Sequence, residues 1–363
     1  MRSIFTCLGY SSPSKIRIRP SNDYVFLSGY GEDARGEYLR GTVALYQPKG
    51  TPCRGIQMKL VGRILRGHHG PSQTEDFTVH QWKPFLVDTQ PNSTSRGRDV
   101  YEWPFEFLVP GNQQESFTGC NQCSITYRLE ASPLEGHTES RTYVPIRLIR
   151  CPPTSSYELM DPLTAHGKWA GKIEYNISVG HQAIALGGFI PIDTQLVNLD
   201  PEVKIVRARF YLLETHTASN KESPDSQAYY GQRQVPEWSL ELDKGDSCRQ
   251  EWSQYLDLPR VLRQCLPDFN GCESSITHTL QFSVTLLDDG LESEYEASVP
   301  VVLFVSPELP ITGWGFFDRS DKTGTKEVEA ALAEGIQTPP EYCKGQYLSE
   351  DEECGSPPPA YTF

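Results

Sequence analysis

The sequence predicts an all-β protein built as two β-sandwiches in tandem and followed by a disordered C-terminal tail. Three observations carry that expectation. From residue 15 to 305 the chain reads as short alternating or β-rich runs between clusters of Gly, Pro, Asn and Asp, and helical periodicity is scarce. A length of 363 residues exceeds one ordinary core and suits two domains plus a tail, while 37% hydrophobic and 22% charged residues suffice to bury substantial cores. From Gln337 to Phe363 the composition turns polar, acidic and proline-rich, and such a segment cannot bury enough apolar surface to offset its chain entropy.

In the first half, strands are expected at 15–19, 24–27, 39–46, 56–65, 78–87, 100–109, 124–130 and 142–150. Lys15, Arg17 and Arg19 alternate with Ile16 and Ile18, the pattern of an edge strand with one charged face. Residues 65–72 and 88–98 read as loops. Cys151-Pro152-Pro153, followed by Thr154, Ser155 and Ser156, stops the run at Arg150, because proline supplies no ladder donor and restricts the residue before it. Residues 1–150 are therefore taken as the first sandwich, 151–169 as a linker, 170–317 as the second sandwich and 318–363 as a flexible acidic tail. The second series of strands is expected at 172–179, 189–197, 205–213, 237–242, 252–256, 276–287 and 297–305. In the third of these, Val206, Ala208, Phe210 and Leu212 are expected to face the core, with Arg207, Arg209 and Tyr211 outward. Residues 326–334 suggest a short helix ended by Gly335.

The net charge of −14 is unevenly spread: +4 over 1–172, −12 over 173–317 and −6 over 318–363. A basic first half favours acidic protein segments or anionic lipid headgroups there, and the acidic remainder disfavours nucleic acid. Lys15, Arg17, Arg19, Arg207 and Arg209 are accordingly candidates for contacting cargo or lipid; ordinary scatter of surface charge reads equally well. The first fifteen residues hold only a brief apolar patch from Ile4 to Leu8, too short for a signal-peptide core or a membrane span. Ten cysteines at irregular spacings then read as reduced thiols of an intracellular protein.

No GxGxxG, phosphate-binding loop, GxSxG elbow or HExxH occurs, so neither an enzyme nor a cofactor is expected. Cys120-Asn121-Gln122-Cys123 has the spacing of half a zinc site, but no second CxxC or paired His accompanies it. Cys151, Cys265, Cys272 and His137 could in principle complete a tetrahedral site. Packed or partly exposed thiols are the expectation, and no metal is assigned.

The tail carries the functional signal. Pro339-Pro340-Glu341-Tyr342 and Pro358-Pro359-Ala360-Tyr361 both read PPxY. Consecutive prolines hold the chain in an extended polyproline II helix, which docks on the aromatic groove of a WW domain with little ordering left to do. The tyrosine lies about one helical turn beyond the first proline and reaches a second pocket on the same face. Composition alone predicts about 0.1 such strings in the chain, against two present, which makes coincidence a poor explanation. Pro339, Pro340, Tyr342, Pro358, Pro359 and Tyr361 are thus the candidate WW-binding residues.

A family resemblance runs through both halves. Gly41-Thr42-Val43-Ala44-Leu45 and Ile56-Gln57-Met58-Lys59-Leu60-Val61-Gly62 resemble early strands of the arrestin family, and Trp103-Pro104-Phe105-Glu106-Phe107-Leu108-Val109-Pro110 resembles its "fpFsfxlP" segment. Cys123 to Ala131 is similar to the strand that follows there, and Pro145-Ile146-Arg147-Leu148 to the exit from the first domain. Gly188 to Ile192, Val203 to Leu213, Leu258-Pro259 and Ile276 to Val284 continue the likeness. Each motif is weak alone; order and spacing over roughly 290 residues carry the resemblance. It implies two arrestin-type sandwiches, and PPxY motifs near the C-terminus make the arrestin-related trafficking adaptors, or alpha-arrestins, the nearer likeness. The charge network that locks visual-type arrestins is not matched here.

The resemblance further implies a non-catalytic adaptor in the cytoplasm, recruited to the plasma membrane or endosomes. Its WW partner would be a HECT-type ubiquitin ligase of the Nedd4 class, and its cargo the cytosolic segments of plasma-membrane transporters or receptors marked for endocytosis. Lys322, Lys326 and Lys344 are the expected ubiquitin acceptors beside the motifs. A retromer-like sorting scaffold of the same fold, which would not need PPxY, is the alternative.

Overall fold

The computed structural model describes residues 14–49, 54–66, 73–87, 91–95, 97–118, 123–134, 141–151, 161–218, 229–242, 248–271, 274–309, 311 and 315–317. Among these, strands account for almost all regular structure, joined by one short 3-10 turn at Gly31–Asp33. No helix among the described residues is long and apolar enough to cross a membrane.

The first eleven strands are β1 (Lys15–Pro20), β2 (Tyr24–Ser28), β3 (Glu37–Pro48), β4 (Gly55–Arg66), β5 (Gln73–Gln81), β6 (Phe85–Leu86), β7 (Ser93–Ser95), β8 (Arg98–Val109), β9 (Phe117–Thr118), β10 (Ser124–Pro133) and β11 (Thr142–Cys151). They form a four-stranded sheet in the order β1-β3-β8-β7 and a second in the order β2-β11-β10-β4-β5, with β6 on β4 and β9 on β10. Alternation decides which side chains meet between the sheets. Ile16 and Ile18 of β1, Val43 and Leu45 of β3, and Met58 and Leu60 of β4 all enter one core.

The remaining strands are β12 (Leu163–Trp169), β13 (Ile173–Val179), β14 (Ala183–Ala185), β15 (Phe189–Asn198), β16 (Lys204–Ala218), β17 (Tyr229–Ser239), β18 (Arg249–Asp257), β19 (Phe269–Asn270), β20 (Ser274–Asp288) and β21 (Leu291–Phe304). Their sheets run β12-β13-β15-β18 and β14-β21-β20-β16-β17, with β19 on β20. Ile177, Ile192, Phe210, Phe282 and Val301 pack in the core between them. The β20–β21 hairpin turns on Asp289-Gly290, both at positive φ (48° and 80°), the geometry that matches the right-handed twist of paired strands.

Four expectations need correction. Residues 163–169, assigned to the linker, form β12. Its inward positions include Ala165 and Gly167, so small residues hide the alternation, and Gly167 is required because the Tyr175 ring lies where a Cβ would project. The strand expected at 78–87 is broken into β5 and β6 around Pro84, which cannot donate to the ladder. Within the loop expected at 88–98, Ser93–Ser95 pair with β8. Val206 is 46% exposed instead of buried, because the pairing of β16 with β20 shifts register between Ile205 and Arg207 and the extra residue turns outward. The tail from 318 on, the helix expected at 326–334, and Cys120, Cys272 and His137 lie outside the described residues.

Candidate functional site

The six candidate WW-binding residues, Pro339, Pro340, Tyr342, Pro358, Pro359 and Tyr361, and the acceptor lysines Lys322, Lys326 and Lys344 all lie outside the described residues. The basic candidates lie within them. β1 is an edge strand on which Lys15, Arg17 and Arg19 are exposed while Ile16 and Ile18 are buried. Arg19 donates to Glu102 and to the Tyr46 hydroxyl, both at 3.2 Å. Arg207 and Arg209 share an outward face, but each is claimed by neighbouring strands. Arg207 donates to Glu237 at 2.8 Å, and Arg209 spans Glu237 at 3.1 Å and Glu294 at 2.9 Å. With Glu292 and Glu296 also exposed beside them, carboxylates outnumber guanidiniums on that face. It would repel an acidic segment more than attract one.

Two further arrangements were not anticipated from the sequence. The first is the junction between the sandwiches. β2 and the second half of β11, Arg147–Cys151, pair in parallel, and along this stretch both strands are buried or half-buried on both faces. Val25, Leu27, Ile146 and Leu148 enter the first core, whereas Tyr24 and Ile149, with Phe26, pack into the second. In return Phe269 and Ile276 enter the first core, where the Phe269 ring stacks on Phe117 at a centroid distance of 4.2 Å. Near the end of β11, Arg150 ties loops of the first sandwich together beside the junction: its guanidinium donates to the carbonyls of Gly29 (2.8 Å), Gly111 (2.9 Å) and Gln113 (2.7 Å). Its backbone N–H donates to Glu115 Oε2 at 3.1 Å. Burial pushes the Glu115 carboxyl up to about 7, against the opposing pull of Arg150. The Cys151 thiol, also pushed up by burial to about 12, donates across the junction to the Val305 carbonyl at 3.3 Å.

The second arrangement is a buried charged cluster in the second sandwich. Along β16 the inward positions run Ala208, Phe210, Leu212, Glu214, His216, so the core-facing row changes from apolar to ionic. Glu214 stands in cross-strand register with Arg233 of β17 and His278 of β20. Its Oε1 accepts from Arg233 Nε (2.5 Å) and meets His216 Nε2 (2.6 Å). Its Oε2 accepts from Arg233 Nη2 (2.9 Å) and the Leu266 N–H (3.0 Å), and faces His278 Nε2 at 3.3 Å. On its other side His278 Nδ1 meets Asp268 Oδ1 at 2.6 Å, and the same oxygen accepts the Leu303 N–H.

Burial alone would strip the proton from His278, but hydrogen bonds to Asp268, Cys265 and Glu214 outweigh it and raise the imidazole to about 11. Burial likewise opposes ionisation of Glu214, and its donors still hold it well below the usual carboxylate range. The stretch that carries Cys265, Leu266 and Asp268 covers this cluster and continues into Phe269, which sits in the first core. Parity counted onward from Phe210 would have flagged Glu214 and His216 as inward-facing ionisable residues.

Residues 169–308 match the family model for the arrestin (or S-antigen) C-terminal domain. A probable HECT-type ubiquitin ligase-interacting protein creD of Aspergillus oryzae is 29% identical over 374 residues, covering 95% of this chain and 61% of the relative. Its namesake in Aspergillus terreus is 29% identical over 355 residues, covering 91% and 61%. An arrestin domain-containing protein, C31A2.12, of Schizosaccharomyces pombe is 32% identical over 330 residues, covering 86% and 54%. The chain thus spans about three fifths of the length of the first of these relatives.

Proposed function

We propose that this chain, whose residues 169–308 match the arrestin C-terminal domain, is an arrestin-family adaptor of the alpha-arrestin type that recruits a WW-domain, HECT-type ubiquitin ligase to membrane-protein cargo. The observation that carries this reading is the pair of PPxY strings at 339–342 and 358–361 in a chain that matches this domain. The description of the creD relatives as HECT-type ligase-interacting proteins supports it. The adaptor is non-catalytic, works from the cytoplasm at the plasma membrane or endosomes, and promotes cargo ubiquitylation and endocytosis. Of the two basic faces, β1 suits contact with acidic cytosolic segments or anionic lipid, because the Arg207–Arg209 face already holds a surplus of carboxylates.

The test converts the two motifs into an affinity ratio. Single PPxY segments bury little surface and bind isolated WW domains in the micromolar range or worse. Tyr342 and Tyr361 are 19 residues apart, a span of roughly 24 Å on random-coil scaling. A ligase with tandem WW domains then closes its second contact at an effective concentration near millimolar and gains about tenfold or more. Tyr342→Ala or Tyr361→Ala alone should return binding to the single-site value. The double change should abolish binding and with it ubiquitin transfer to Lys322, Lys326 or Lys344. A double variant that still binds the tandem would refute the tail as the ligase handle.

A further inference from the structure

Cys265, His278 and Glu214 offer one thiol sulfur, one imidazole nitrogen and one carboxylate oxygen, and these three atoms lie within 4.8 Å of one another inside the second sandwich. We propose that they form a zinc site that closes the Cys265–Asp268 stretch onto β16 and β20. Ligand atoms bonded to one tetrahedral zinc at about 2.0–2.3 Å sit roughly 3.3–3.8 Å apart, so separations that already lie within 4.8 Å need to close by no more than about 1.5 Å. Glu214 Oε2 and His278 Nε2, at 3.3 Å, already stand at that separation.

The surroundings are those of a metal ligand set. Asp268 binds His278 Nδ1 at 2.6 Å and leaves Nε2 pointing at Cys265 and Glu214, the carboxylate–imidazole relay that fixes the tautomer of metal-ligating histidines. One sulfur, one nitrogen and one oxygen donor suit a borderline-soft d10 cation and not calcium or magnesium, which take oxygen alone. Charge also balances. Zinc enters as the Nε2 proton of His278 and the Sγ proton of Cys265 leave to water, two positive charges replacing two, so the net charge of the buried cluster is unchanged. Arg233 keeps its bond from Nε to Glu214 Oε1, and its partly exposed side chain can release Oε2 to the metal.

The experiment uses the full 363-residue chain, reduced and stripped by a chelator, then titrated with Co2+ and, separately, with Zn2+. One equivalent of Co2+ should give a thiolate-to-cobalt charge-transfer band with four-coordinate visible absorption, both displaced by Zn2+. X-ray absorption of the zinc form should show one sulfur among nitrogen and oxygen ligands. Cys265→Ser should remove the charge-transfer band and weaken Zn2+ binding at least 100-fold. Cys120→Ser and Cys248→Ser should leave both as in the parent chain, and Asp268→Asn should weaken binding about 10–100-fold. If Cys265→Ser fails to fold, the sulfur count of the parent chain decides. Two or more sulfurs, no sulfur, no bound metal, or an unaltered cobalt spectrum in Cys265→Ser would overturn the proposal.

Discussion

Glu115→Gln isolates the buried carboxyl at the junction. Glu115 is only 8% exposed, and the Arg150 guanidinium near it is committed to the carbonyls of Gly29, Gly111 and Gln113. It accepts a backbone N–H and has no direct ion pair among the described residues, so burial lifts its pKa from the ordinary 4.5 to about 7. Between those values the unfolded chain has released its proton and the folded chain still holds it. Stability therefore falls as pH rises through this window, by about 2–3 kcal/mol between pH 5 and 8. Glutamine keeps the carbonyl oxygen that accepts the Arg150 N–H and has no proton to lose. Urea titrations followed by tryptophan fluorescence, repeated at half-unit steps from pH 5 to 8, should show the Gln variant gaining on its parent by that amount across the range. Two parallel stability lines would refute the reasoning and mean that the folded carboxyl ionises with ordinary ease.

Two further substitutions probe packing. Phe269→Ala removes the ring stacked on Phe117 and should cost about 3–5 kcal/mol, read in calorimetry as a lowered transition that splits into two as the sandwiches uncouple; an unshifted single transition would argue that the stack contributes nothing. Gly62→Ala places a Cβ 2.2 Å from the Phe77 ring on the neighbouring strand and should destabilise by about 1–3 kcal/mol in urea, with Phe77→Val restoring part of the loss in the double variant.

The strands were legible where one face is buried and the other wet, as along Lys15–Pro20, because a period of two then appears directly in the residue types. They were obscure where small residues occupy the inward positions, as in Leu163–Trp169, and where a bulge resets the parity, as at Val206. The run Tyr24-Val25-Phe26-Leu27 held a signal that was not used: four consecutive apolar residues mean burial on both faces, which here marks the junction. The PPxY strings were legible because their chemistry is local. Glu214, Cys265 and His278 were not, because strand pairing and a crossing loop bring them together, and no spacing along the chain encodes that meeting.

The two parallel pairings carry a consequence for biosynthesis. β2 cannot find its neighbour until β11 exists, and β14 waits in the same way for β21, so each sheet is sealed by the last strand of its series joining one of the earliest. On the ribosome the first sandwich must stay open until residue 151 has left the exit tunnel, with the edge of β10 bare meanwhile. Loop closure over more than a hundred residues makes that step slow. A nascent chain stalled or nonsense-truncated before β11 or β21 would lack its seal and present a long unpaired edge, so chaperone dependence should be highest in the moments before each closing strand appears.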